Sequence, residues 1–135
     1  MTLPTPYLSF RGQAREAMEF YRSVFGGDLT ISTFGDFGYE GMPADAVMHS
    51  TLTAGGFEVM ASDTPDSVPF QAGSQISLSL AGTKAEEEKL RGWFGKLADG
   101  GGTVTMPLEK QVWGDVYGAV TDRFGLNWMV DIGQA

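Results

Sequence analysis

The feature that most constrains the fold of this chain is a segment that occurs twice. Residues 5–25 (TPYLSFRGQAREAMEFYRSVF) alternate between apolar and polar side chains as far as a glycine, and then change to the spacing of a helix. Residues 75–97 (QISLSLAGTKAEEEKLRGWFGKL) follow the same plan at a constant offset, which aligns Leu8 with Leu78. A repeat of about half a chain indicates two copies of one supersecondary unit.

The first copy predicts the element order β-α-β-β-β. Apolar residues recur at helical spacing over residues 14–25, and Gly26-Gly27 ends this helix because glycine adopts positive φ at little cost. Strands rich in β-branched and aromatic residues follow at 28–34, 47–53 and 57–62. Gly55-Gly56 joins the last two strands, as is typical of a hairpin.

The second copy predicts the same order of elements. They are a strand at 75–80, a helix from about 84 to 98, and strands at 103–107, 115–121 and 126–132. The apolar residues of its first strand, from Ile76 to Leu80, are expected to pack against the helix. We therefore expect one α+β domain over residues 1–135 that consists of two paired repeats, at about 3–63 and 74–133.

The composition disfavours several classes of partner and chemistry. The chain has 17 acidic and 9 basic residues and a formal net charge of −8, with no two basic residues adjacent, so we expect no nucleic-acid partner. No apolar run approaches the roughly 18 residues of a membrane span, and the N-terminus does not resemble a signal peptide, so a soluble cytoplasmic protein is expected. Cysteine is absent, which excludes disulfides, thiolate ligands and thiol nucleophiles.

Residues 35–46 (GDFGYEGMPADA) predict a long loop between two strands of the first repeat. Loops of this length are often functional in compact domains. Two interpretations stay open: a lid that closes over a ligand through Phe37, Tyr39 and Met42, or a connector with a few packed aromatic side chains.

Three motifs agree in order and spacing with one known family. They are PYLSF-x-G-x-A-x-E-A-x-x-FY-x-x-x-FGG, H-S-x-L-x-x-G-G followed by ASD, and W-G-x-x-Y-G-x-V-x-D-x-FG-x-x-W. In these motifs the chain resembles the PhnB-like branch of the glyoxalase, bleomycin-resistance and dioxygenase (vicinal oxygen chelate) superfamily over nearly its whole length. The resemblance implies curled mixed sheets around a common cleft, one main helix per unit outside them, and a homodimer.

The superfamily's metalloenzymes hold one divalent ion through His, Glu or Gln side chains. The resemblance places the four ligand positions on Thr5, His49, Gln75 and Met129. Only His49 is a good ligand. Gln75 could serve through its carbonyl oxygen, Thr5 is a poor ligand, and the thioether of Met129 does not suit a hard ion. A shift in strand phase would instead bring in Tyr7 or Asp131. We expect no metal and no cofactor; the alternative is one divalent ion held by His49 and Gln75.

The resemblance also implies a ligand-binding surface on the strand faces that line the cleft. The candidate residues are Tyr7, Ser9, His49, Gln75, Ser77 and Met129. Simple solvent exposure explains the same polar alternation, and His49 has three open roles: a packed strand residue, a ligand-binding or acid–base residue, and a metal ligand. Trp113, Tyr117 and Trp128 are expected in the core or an interface.

Two functions follow from these observations. The first is a PhnB-like protein that binds a small organic molecule in the cleft between its repeats without a tight metal, with His49 as the candidate for any catalysis. The second is a divalent-metal-dependent lyase, isomerase or dioxygenase of the same superfamily. The methyltransferase label used for some members has no support here, because no glycine-rich turn of the nucleotide-binding kind follows the first strand.

Overall fold

Each half of the chain folds as a β-α-β-β-β unit in the computed structural model, which describes residues 4–134. One compact unit ends at Phe70 and the other begins at Gln71. The elements of the first are β1 (Tyr7–Phe10), α1 (Ala14–Phe25), β2 (Asp28–Thr33), β3 (Val47–Ala54) and β4 (Phe57–Asp63). Those of the second are β5 (Leu78–Gly82), α2 (Glu87–Asp99), β6 (Thr103–Lys110), β7 (Val116–Thr121) and β8 (Asn127–Ile132).

The two sheets have the same topology. Their strand orders are β1-β4-β3-β2 and β5-β8-β7-β6, and in each the first and last strands of the unit pair in parallel while the other pairs are antiparallel. The expected α+β class with two open, mixed, four-stranded sheets is therefore confirmed.

Helix α1 forms over the residues that its periodicity predicts. Its buried stripe consists of Ala14, Ala17, Met18, Tyr21, Val24 and Phe25. The helix ends at two glycines with positive φ, and the second of them, Gly27, lies so close to β3 that an added Cβ would stand 2.1 Å from the carbonyl oxygen of Thr53. Only glycine fits there, which fixes how the chain turns from α1 into β2.

Helix α2 starts later than expected. Thr83 and Glu86 form a capping box around a 3-10 turn at Lys84–Glu86, and the α-helix begins at Glu87. A capping box satisfies free backbone N–H groups at a helix start, and here it serves the 3-10 turn instead. Leu90, Phe94 and Leu97 are the buried side chains of α2.

The predicted strand at 75–80 is wrong at its start. β5 begins at Leu78, where it pairs with Trp128 of β8, and Ile76 is 78% exposed instead of packing against the helix. The period of two in the sequence continues into residues 75–77, but alternation cannot reveal whether a partner strand is present. Gln75 and Ser77 therefore precede the sheet.

The strand predicted at 103–107 is longer than expected. β6 reaches Lys110, lies at the edge of its sheet and contains two register shifts against β7. Pro107 lies within this strand, and an edge strand tolerates proline because one row of its backbone groups is not required for pairing.

Candidate functional site

One face of the first sheet is polar. Residues paired directly across strands point to the same face, so the registers place Tyr7 beside Met60, Ser9 beside Ser62, and His49 beside Ser32. The alternate residues, such as Leu8 and Phe10, are buried. This first polar face consists of Tyr7, Ser9, Thr30, Ser32, His49, Thr51, Met60 and Ser62.

His49 contacts two other members of the first polar face. Its Nε2 atom lies 3.2 Å from the hydroxyl oxygen of Thr51, and its ring centroid lies 6.0 Å from that of Tyr7 at an interplanar angle of 30°. His49 is half-buried, whereas Tyr7 is 51% exposed. The pair thus offers a ring surface and a hydrogen-bonding nitrogen for a ligand.

The second sheet has a corresponding polar face. Its registers place Ser79 beside Met129, Asp131 beside Tyr117, and Asn127 beside Thr121. The Tyr117 hydroxyl donates a hydrogen bond to the Met129 Sδ atom at 3.0 Å. We call the face formed by Ser79, Ala81, Glu109, Tyr117, Ala119, Thr121, Asn127, Met129 and Asp131 the second polar face.

Trp113 borders Tyr117 and is not a core residue. It lies in the turn between β6 and β7, is 58% exposed, and meets the Tyr117 ring edge-on at 5.9 Å between centroids. Trp128, in contrast, is fully buried. Of the two positions expected for Trp113, the core is therefore excluded, and an interface stays a prediction.

Asp131 has an unusual environment on the second polar face. Burial raises the pKa of its carboxyl, and a hydrogen bond to Asp115 and the negative charge of that group raise this pKa further. Within residues 4–134, the Asp131 Oδ1 atom is buried and has no hydrogen-bond partner. A buried carboxyl oxygen without a partner is costly, so the site favours a proton or a donor at this position.

The predicted site residues occupy different kinds of position. Tyr7, Ser9 and His49 share the first polar face, and Met129 lies on the second. Gln75 and Ser77 are exposed and precede β5. The sequence prediction did not include Asp115 and did not place Tyr117 at the site. Their spacing of two in the W-G-D-x-Y motif, with Asp115 directly before β7, is the signal that puts both on one side of the chain.

Donors for a divalent ion are not clustered in residues 4–134. In the part of the chain that the structure describes, no group of three or more His, Cys, Asp or Glu side chains lies close enough together to hold a metal. The Met129 sulfur accepts a hydrogen bond from Tyr117, and Gln75 is not held by a strand. Hard ions require several oxygen or nitrogen donors in a fixed geometry.

Two acidic residues of the motifs, Asp63 and Asp122, serve the fold instead of the site. The Asp63 carboxylate accepts hydrogen bonds from the backbone N–H groups of Ala14 and Val47, both at 3.0 Å. The Asp122 carboxylate accepts bonds from backbone N–H groups of the turn that follows it and from the Trp128 indole N–H at 2.8 Å. Both carboxylates are buried and join elements of their own unit.

The helices offer no candidate for a membrane span. Among residues 4–134, none is both long enough and apolar enough to cross a bilayer.

Comparisons with known proteins match this fold over almost its whole length. Protein YjdN of Escherichia coli (strain K12) is 28% identical, covering 95% of this chain and 93% of its own. Protein PA1353 from Pseudomonas aeruginosa is 36% identical with a TM-score of 0.88, and the match covers 100% of both chains. FosX from Listeria monocytogenes has a TM-score of 0.66 at 12% identity over 98% of this chain and 92% of that one, a likeness of fold alone.

The PhnB protein from Bacillus cereus is 29% identical with a TM-score of 0.79, covering 98% of this chain and all of that one. The model of the family described as 3-demethylubiquinone-9 3-methyltransferase matches residues 3–131. The chain therefore belongs to this PhnB-like family, within the glyoxalase (vicinal oxygen chelate) superfamily.

Proposed function

We propose that this chain binds a small organic molecule through the polar faces of its two sheets, without a tightly held metal ion. The observation that carries the proposal is the contact between His49, Tyr7 and Thr51, which groups a ring surface with hydrogen-bonding atoms on one sheet face. Tyr117 and Met129 supply a similar mixture of polar and apolar atoms on the second face. Binding sites for small molecules commonly combine apolar surface with a few placed polar groups.

His49 is the proposed centre of the first polar face. Its Nε2 atom lies 3.2 Å from the Thr51 hydroxyl oxygen, and Tyr7 and Ser9 lie on the same face. Histidine is also the side chain best suited to proton transfer near neutral pH. Any reaction catalysed here would thus involve His49. Gln75 and Ser77, in the segment before β5, are further candidate ligand-binding residues.

The family name suggests methyl transfer, but the fold supports binding better. Each sheet contains a single parallel strand pair, in contrast to the open parallel sheet that binds nucleotide cofactors at its strand ends. We further propose that the protein works in the cytoplasm as a homodimer.

The alternative function is a divalent-metal-dependent lyase, isomerase or dioxygenase. It is favoured by one observation, the structural likeness to FosX, which has been crystallised with Mn(II). In this chain His49 and Gln75 would be the ligands.

Two measurements separate these functions. Elemental analysis of protein purified without chelator should find less than stoichiometric metal, and Ni²⁺, Zn²⁺, Mn²⁺ and Fe²⁺ should leave the melting temperature unchanged, because an ion that binds only the native state must raise it. A screen of organic molecules by the same thermal shift should find ligands.

The His49→Ala variant should weaken binding of a ligand from that screen about tenfold, as expected for the loss of one good hydrogen bond. Glu19→Ala, a substitution at an exposed position of α1 away from the sheet faces, is the control. About one metal ion per chain, together with loss of both metal and turnover in His49→Ala, would establish the metalloenzyme instead.

A further inference from the structure

The second polar face groups acidic side chains without a basic residue among their register neighbours. The registers align Ala81, Asp131, Tyr117 and Glu109 in one row across the four strands. Asp115 lies two residues before Tyr117 and interacts with Asp131 through their carboxyl groups. No residue that the registers of the described strands place on this face is Lys or Arg.

The environment of the Asp131 carboxyl group is unfavourable at one oxygen atom. Its Oδ1 atom is shielded from solvent and, in residues 4–134, has no hydrogen-bond partner. A carboxyl group held beside a second carboxyl repels further negative charge and is stabilised by a cation that donates hydrogen bonds. A positively charged hydrogen-bond donor should therefore bind favourably at Asp131.

Aromatic surface lies next to these carboxyl groups. Trp113 is more than half exposed and meets Tyr117 edge-on, and Tyr117 lies directly beside Asp131 in the sheet. Indole and phenol rings attract cations through their faces, and they also accept apolar groups. The Met129 side chain, held by the Tyr117 hydroxyl, extends the apolar part of this surface.

We infer that the ligand of the second polar face is an organic amine, whose ammonium group binds at Asp131 and Asp115 and whose apolar part lies against Trp113, Tyr117 and Met129. The inference rests on the proposed binding function and adds the chemical class of the ligand. An acid would be repelled by the carboxyl groups, and a neutral alcohol of the same shape would lose the ionic part of the interaction.

The test compares 2-phenylethylamine with 2-phenylethanol, which share a ring and a chain length but differ in charge. Binding is followed at pH 7.5 by the indole N–H signal of Trp113 in NMR spectra, assigned by its loss in Trp113→Phe. The amine should bind roughly tenfold more tightly than the alcohol, as expected for a hydrogen bond to a charged group. Asp131→Asn should reduce amine binding about tenfold and leave alcohol binding unchanged.

Glu88→Gln provides the matched control, because it removes one negative charge at an exposed position of α2. It should leave the preference for the amine intact. If Asp131→Asn fails to fold, as judged by circular dichroism, Asp115→Asn takes its place with the same expected loss.

Equal binding of amine and alcohol, no binding of the amine, or a preference that survives both Asp→Asn substitutions would overturn the inference. The proposed function would still stand if other molecules bind in a manner that depends on His49. A screen in which no organic molecule binds at all would refute the proposed function itself.

Discussion

At the scale of single residues, the acidic side chains of this protein divide into two classes. Asp63 and Asp122 are buried and fully engaged with N–H donors of their own unit, so they hold elements together. Asp131 lies on a polar sheet face with an unpartnered oxygen and a second carboxyl beside it. The first class contributes to stability, and the second lowers it in a way that depends on pH.

Replacing Asp63 by Ala should destabilise the protein by roughly 2–5 kcal/mol, because the N–H groups of Ala14 and Val47 would lose their acceptor inside the core. Urea unfolding followed by circular dichroism measures this free energy. Asp66→Ala, at an exposed position of the connector, is the control and should change it by no more than about 0.5 kcal/mol. Equal effects of the two substitutions would refute the structural role of Asp63.

Asp131 should make stability fall as pH rises. Because its pKa in the folded protein is raised, the folded state binds this proton more tightly than the unfolded state does. The stabilisation is complete below the unfolded pKa and is lost as pH rises through the folded pKa. Asp131→Asn should flatten the fall of Tm as pH rises above the ordinary pKa of a carboxyl group, whereas Glu88→Gln should not. An unchanged slope in Asp131→Asn would count against the raised pKa.

At the scale of elements, the sequence predicts those features that depend on residues close together in the chain. The period of 3.6 and the glycine pair locate α1 correctly, because burial of one stripe and a positive φ suffice to define it. The start of β5 depends on pairing with β8, which is distant in sequence, and the length of β6 depends on its pairing with β7 across two register shifts. The alternation of apolar and polar residues within one strand does not reveal where that strand is paired.

The same distinction applies to the candidate site. A period of two places Tyr7 and Ser9 on one strand face, and that placement follows from the sequence alone. The contact of Tyr7 with His49, and the row that unites Tyr117 with Asp131, arise from the registers of separate strands. Those neighbours become visible only when the pairing is known.

The turn from α1 into β2 gives a direct test at this scale. Gly27 and Gly56 have nearly the same φ, +90° and +91°, but only Gly27 faces a backbone oxygen where a Cβ would stand. Gly56→Ala should cost about 1–2 kcal/mol from the positive φ alone. Gly27→Ala should cost clearly more in the same urea unfolding experiment, because the Thr53 carbonyl must also move. Equal losses of unfolding free energy in the two variants would mean that β3 can move away from the added Cβ without destabilising the protein.

At the scale of the whole molecule, both sheets have free edges. β6 is an outer strand whose residues are almost all exposed, and β2 is the outer strand of the other sheet. Edge strands with unpaired backbone groups invite pairing with another chain. This argument and the family resemblance lead to the same expectation, a homodimer.

Light scattering at micromolar concentration should therefore give twice the chain mass of 14.5 kDa. Lys110→Glu at the end of β6 is a mild probe of that edge and should leave the fold unchanged while altering the dissociation of the dimer if β6 takes part. A monomer mass over the accessible range of concentration would refute the expectation.

The uneven burial of the two sheets has a consequence for amide hydrogen exchange. In the first unit β3 contains four buried residues, whereas in the second unit β5 and β6 contain none. Sparse burial lowers the free energy of local opening. Amides of β5 and β6 should thus exchange with solvent deuterium well before those of β3, and a ligand on the second polar face would slow that exchange as it binds.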